Sequence, residues 1–234
     1  MTDTLVSYSL EGSTAIVRMD DGKANALSAA MIDALLGALD RAEKEASALV
    51  LTGRPDRFCA GFDLRSMMAG AEAATTLLRH GSNLLMRFYG TTLPLVVAST
   101  GHALAGGALL LLTGDLRLSG DGPFKIGLNE VSIGLPVPIL AMELARDRLS
   151  AAELGKATLM SKIYAPEEAQ LAGYLDRVVA REELLAVAVK EAARLGALPR
   201  TAYGATKERL RGATITKVRS TLEEDMARLL SPAK

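Results

Sequence analysis

Tryptophan is absent from this 234-residue chain, cysteine occurs once, and aromatic residues make up only 4%. With Cys59 as the single thiol no internal disulfide can form, so cysteine usage gives no sign of an oxidising compartment. So few rings mean that the core has to come from Leu, Val, Ile, Ala and Met, with small residues allowing close contact of helices and strands. Net charge is missing too. The 27 Lys+Arg balance 27 Asp+Glu, so no bulk field draws the chain to nucleic acid or an anionic membrane, and any anion site must be local. The most apolar runs, "ALLLLT" and "LPLVVAS", fall far short of the roughly 20 residues that cross a bilayer. The opening "MTDTLVSYSL" lacks the basic and apolar regions of a secretory signal. A soluble, cytoplasmic protein with no nucleic-acid or membrane partner is the expectation. What is present, 49% hydrophobic residues, suffices for a substantial core.

Along the chain, "LVSYSLEGSTAIVRMDDG" reads as two strands around the Glu11-Gly12-Ser13 turn. Ser28 is a suitable N-cap for a helix in which Met31, Ile32, Leu35, Leu36 and Leu39 recur at helical spacing. Then "ALVLTGRPDRFCAGFDL" and "PLVVASTGHALAGGALL" repeat one order: an apolar strand, Thr-Gly, and an Ala-Gly pair opening a helix. Two such units side by side predict an α/β layered fold. Short strands are predicted at "LRLSG" and "PFKIG". After Pro138 helices dominate, at about 139–147, 150–160, 166–172, 181–195 and 201–230, broken by a strand at "YLDRVV". A soft boundary near residue 190 separates a core (1–190) from a helical C-terminal region (191–234).

The Ala-Gly pairs carry the first chemical signal. A helix N-terminus leaves N–H groups unpaired and partly positive, so it can hold an oxyanion. The turn "CAGFD" offers the Phe62 N–H and "LAGGA" offers that of Gly106. Converging on one carbonyl oxygen, the two would form an oxyanion hole; alternatively, both turns only pack helices on strands. A dinucleotide loop is the poorer reading of "STGHALAGG", because the G-x-G-x-x-G spacing is missing. No G-x-S-x-G elbow exists. His80 and His102 lack a metal-ligand spacing and read as surface or turn histidines, and Cys59 reads as a small core residue. The second signal is Glu130, alone in the largely apolar "FKIGLNEVSIGLPVP".

Taken in order, "KANALS", "FCAGFDL", "GHALAGGALLLLTGD" and "GLNEVSIGL" make the chain resemble the crotonase, or enoyl-CoA hydratase/isomerase, superfamily over nearly its whole length. The resemblance implies an α/β spiral of β-β-α repeats, a helical C-terminal region that builds homotrimers or hexamers, and an acyl-CoA thioester as substrate, with coenzyme A part of that substrate and no separate cofactor or metal. It implies Phe62 and Gly106 as the oxyanion donors, and Lys23, Ala24, Ala26, Ala60, Asp63 and Leu64 as the lining for CoA. Lys23 is then a phosphate partner or, equally, a solvated turn lysine. Phenylalanine at 62 departs from the small residue usual in the family and could narrow the acyl pocket.

Hydratases of the superfamily typically carry two glutamates; here the first position is Leu109 and only the second, Glu130, is acidic. Water addition divides naturally between two carboxylates, whereas moving a double bond from the 3 to the 2 position needs one. The "IGLNE" setting resembles the single-glutamate 3,2-enoyl-CoA isomerases. An isomerase with Glu130 as proton shuttle and a raised pKa is therefore the leading expectation, with a hydratase and a non-catalytic acyl-CoA binder as alternatives. Lys207, Arg209 and Arg211 read as a solvated helix face, or, by the resemblance, as one more contact to CoA phosphates.

Overall fold

The computed structural model describes residues 4–229. It opens with a hairpin, β1 (Val6–Glu11) antiparallel to β2 (Thr14–Met19), turning at Gly12. Helix α1 (Ala29–Glu45) follows, with the Ser28 hydroxyl accepting from the Met31 N–H at 3.2 Å, the N-cap bond that satisfies one of the first turn's free donors. Two strand pairs come next: β3 (Ala48–Thr52) and β4 (Asp56–Cys59), then, after helices α2 (Leu64–Met68) and α3 (Ala71–Gly90), β5 (Leu95–Ser99) and β6 (Gly101–Leu104). Helix α4 (Gly106–Leu112) leads to a third pair, β7 (Leu116–Gly120) and β8 (Ile126–Gly127). The remainder is α5 (Ile139–Arg148), α6 (Ala151–Thr158), α7 (Pro166–Ala172), β9 (Arg177–Val179), α8 (Leu184–Gly196) and α9 (Arg200–Leu229).

The first strand of each pair enters a six-stranded sheet, ordered β1-β2-β3-β5-β7-β9, and the second enters a separate parallel sheet, β4-β6-β8. The chain thus winds as a spiral of β-β-α turns. Side chains alternate across each strand, and the large sheet uses both faces. Val50, Val96 and Ala98 pack under Ala188 and Ala192 of α8, while Leu49, Leu51 and Val97 join the main core with Leu35, Leu85 and Leu111. Burial on both faces is why "ALVLT" and "LVVAS" read as continuous apolar runs.

Three expectations need correction. "DRFC" and "GHAL" are strands, not turns into helices; β4 passes from exposed to buried half-way along, β6 alternates but over four residues only, and their pairing is parallel and remote in sequence. The helix expected from residue 181 starts only at Leu184, because residues 181–183 form a 3-10 turn before α8. The basic cluster of α9 is split. Lys207 and Arg211, four residues apart on one helical face, are buried, and only Arg209 is exposed. Lys207 Nζ and Arg211 Nη2 reach the two carboxylate oxygens of Asp115 at 2.5 and 2.8 Å. Arg211 also donates to the carbonyls of Tyr89 and Thr113, so α9 grips the C-terminal end of α4. Among the described residues no helix is long and apolar enough to cross a membrane.

Candidate active site

The small sheet positions the site. Its strands are parallel, so their C-terminal ends lie on one edge, and the chain leaves that edge at residues 60–62, 105–106 and 128–130. Short contacts tie these exits together. The Ala105 N–H donates to the Gly127 carbonyl at 3.0 Å. A Cβ added to Gly61, whose φ is +99°, would lie 3.1 Å from the Leu104 carbonyl oxygen and 3.3 Å from the Gly106 nitrogen, so both conformation and approach require glycine there.

Phe62 and Gly106, the two donors expected from the sequence, therefore sit on adjoining backbone segments. Neither N–H is a donor in any hydrogen bond among the described residues. They reach that state differently. Gly106 is the first residue of α4, preceded by Ala105 at φ +47°, a conformation disfavoured for a residue with a Cβ, of the kind that clusters at functional sites. Phe62, contrary to expectation, does not open a helix, because α2 begins at Leu64 with Asp63 as its cap. It lies in an isolated parallel bridge to Leu27, in which Leu27 donates to the Gly61 carbonyl at 2.8 Å and Asp63 donates to the Leu27 carbonyl at 3.3 Å. That pairing turns the Phe62 N–H away from its neighbour and leaves it unpaired.

The same bridge brings the expected CoA-lining residues together. Ala60 donates to the Ala24 carbonyl at 3.1 Å, so the 24–27 loop runs beside 60–63. Ala24 and Ala26 are half-buried, and Lys23, Ala60 and Leu64 are exposed along this rim. Asp63 accepts from the Ser66 N–H and hydroxyl at 2.9 and 2.7 Å, bonds that hold its carboxyl below the usual range. The loop is pinned by Asn25, which sequence reasoning passed over. Fully buried and at φ +53°, its amide nitrogen lies 3.1 Å from the carbonyls of Met19, Arg57 and Phe58. The signal available was an amide between small residues in "KANALS", where αL is tolerated by Asn.

Glu130 stands immediately before a 3-10 turn, Val131–Ile133, and its carbonyl accepts from Ile133 and Leu135. The residue is only 8% exposed, and Oε2 is buried without a hydrogen-bond partner. Desolvation raises its pKa, opposed by its own backbone N–H. Leu109, one turn into α4 from Gly106, is 2% exposed. Near Glu130 the Tyr174 side chain is also buried, its pKa pushed up first by burial, then by Tyr164 and to a smaller extent by Glu130, against the Leu128 backbone. The titratable side chains outside this edge have other work. Cys59 is buried with its thiol pushed up to about 12 by desolvation. His102 lies in β6 and accepts from the Lys125 N–H at 3.0 Å, while His80 pairs with Asp33 at 3.1 Å.

Two unpaired amides on the sheet edge that also carries the desolvated Glu130 would suit proton transfer at carbon next to a thioester. The family model for enoyl-CoA hydratase/isomerase matches residues 9–231. The chain belongs to the enoyl-CoA hydratase/isomerase family. It is an enzyme of the crotonase superfamily, and the crotonase fold accounts for its β-β-α spiral. A Pseudomonas syringae enoyl-CoA hydratase/isomerase family protein is 40% identical, with a TM-score of 0.94 covering 97% of this chain and 98% of that one. An enoyl-CoA isomerase from Mycobacterium tuberculosis is 36% identical, with a TM-score of 0.92 covering 97% and 99%. The human mitochondrial enoyl-CoA delta isomerase 1 is 29% identical over 97% of this chain and 77% of its own length. Hydratase names also occur among the relatives.

Proposed function

We propose that this protein converts 3-enoyl-CoA to 2-enoyl-CoA. Glu130 removes a proton from C2, the electron pair moves onto the thioester oxygen, and the Phe62 and Gly106 N–H groups stabilise that enolate. The protonated Glu130 then returns the proton at C4 as the double bond settles between C2 and C3, so atoms and charge balance with one acid-base group. The observation that carries this reading is Leu109. The position that would hold a second carboxylate one turn from Gly106 is a buried leucine, which leaves water without a second acid-base partner and shields the enolate. The raised pKa of Glu130 supports the same role, because a shuttle must both take and return a proton near neutral pH.

Coenzyme A is held, in this reading, along Lys23, Ala24, Ala26, Ala60, Asp63 and Leu64 as part of the substrate, with no separate cofactor, and the working assembly is a homotrimer or hexamer. The second reading, hydration of 2-enoyl-CoA, is favoured by the hydratase names among the relatives. Incubating the enzyme with 3-enoyl- and 2-enoyl-CoA in parallel separates the two. Isomerisation of the first with little hydration of the second is the expected result; fast hydration without isomerisation would replace this proposal with the alternative.

A further inference from the structure

The side chain of Phe62 is wedged between two glycines. A Cβ built on Gly81 of α3 would fall 2.1 Å from Phe62 Cε1 and 2.6 Å from Cζ, and one on Gly106 of α4 would fall 3.0 and 3.1 Å from Cδ2 and Cε2. One edge of the ring therefore occupies the place of a side chain at 81 and the other lies against Gly106, so the half-buried phenyl group packs between α3 and α4 at the proposed oxyanion donors. A thioester oxygen hydrogen-bonded to the Gly106 N–H would put the first acyl carbons within reach of that ring. Leu64 and Met68 of α2, and Val131 and Ile133 of the 3-10 turn after Glu130, are exposed, so they offer no enclosed path.

We infer that Phe62, seated against Gly81, is the chain-length selector of this enzyme, closing the interhelical path to the acyl tail so that carbons beyond the first few gain little from binding. This rests on the acyl-CoA reading of the site. An acyl tail entering a buried path gains about fourfold in affinity per methylene; a tail turned toward solvent gains much less.

The test is equilibrium binding of saturated butanoyl-, hexanoyl-, octanoyl- and decanoyl-CoA, which are not turned over, to the wild type and to Phe62→Ala, which keeps the backbone donor. A gain of less than about threefold from butanoyl to octanoyl is expected in the wild type, and at least about tenfold in Phe62→Ala. A steep gain already in the wild type, or an equally flat series in the variant, overturns the inference. Gly81→Ala checks the wedge without ligand. It should lower the melting temperature in the wild-type background and not in Phe62→Ala, because its new methyl collides only with the ring; purely additive losses would refute the packing argument. If acyl-CoA of no length binds better than free CoA, the acyl-CoA reading falls with the selector. If it binds and Glu130→Gln stops turnover while the series is unchanged, the selector alone falls.

Discussion

Replacing Asp115 by alanine should be among the most damaging single changes in this fold. The carboxylate sits at the start of β7 between two buried cations, Lys207 Nζ at 2.5 Å and Arg211 Nη2 at 2.8 Å, and also accepts from the Leu95 N–H at 2.8 Å. Removing one partner of a buried ion pair typically costs about 3–5 kcal/mol, because the other charge is left uncompensated. Here two cations are exposed to that penalty, softened by the carbonyls of Leu93, Tyr89 and Thr113 that each still reaches. The expected loss is about 3–5 kcal/mol, or roughly 6–20 °C in melting temperature for a chain of this size. Urea and thermal unfolding measure it, and Asp115→Asn, which keeps the shape and an acceptor, should lose less. A loss below about 1 kcal/mol would mean that the pairs behave like exposed ones and that α9 is held by other contacts. The companion effect is in pH. Desolvation, helped by repulsion from Arg211 and Arg148, pulls Lys207 down to about 8 against the attraction of Asp115. Between that value and the ordinary 10.5 the unfolded chain binds more protons, so this group makes stability rise with pH. Lys207→Met should remove that rise.

Glu130→Gln should abolish turnover yet raise the melting temperature at neutral pH. The folded protein holds the Glu130 proton more tightly than the unfolded chain does, so this group favours the fold at low pH and the benefit disappears as pH rises through the raised pKa. The gain of the Gln variant should therefore be small in acid and grow toward pH 7; a uniform difference across that range would contradict it. Asn25→Ala should cost about 3 kcal/mol, since the Met19 and Phe58 carbonyls would be buried without a donor. The same variant should weaken CoA binding by loosening the 24–27 loop, and unchanged affinity in a folded variant would separate the loop from the ligand.

Much of the frame was legible without coordinates. The Gly12 turn and the Ser28 cap follow from local chemistry alone, because both are satisfied within a few residues. The second strands of the pairs were not, since β4 pairs with β6 across 44 or 45 positions and each strand is only four residues long; only the family resemblance implied them. The site was legible as a list and not as a geometry. Phe62 and Gly106 could be named from Ala-Gly turns, but the reason that Phe62 has a free N–H is a bridge to Leu27, which no local rule forecasts. Lys207 and Arg211 misled because a basic run on a helix has the same composition whether it faces solvent or a buried aspartate. The spacing of Gly204, Lys207, Arg211, Thr214 and Val218, all buried, was the clue, at three- and four-residue steps along one face.

The direct measurement of a single carboxylate shuttle follows an isotope. With 3-enoyl-CoA carrying deuterium at C2, transfer by a desolvated Glu130 should leave a substantial fraction of that deuterium at C4 of the 2-enoyl product. Product whose C4 carries only solvent hydrogen would contradict a shielded, one-residue transfer.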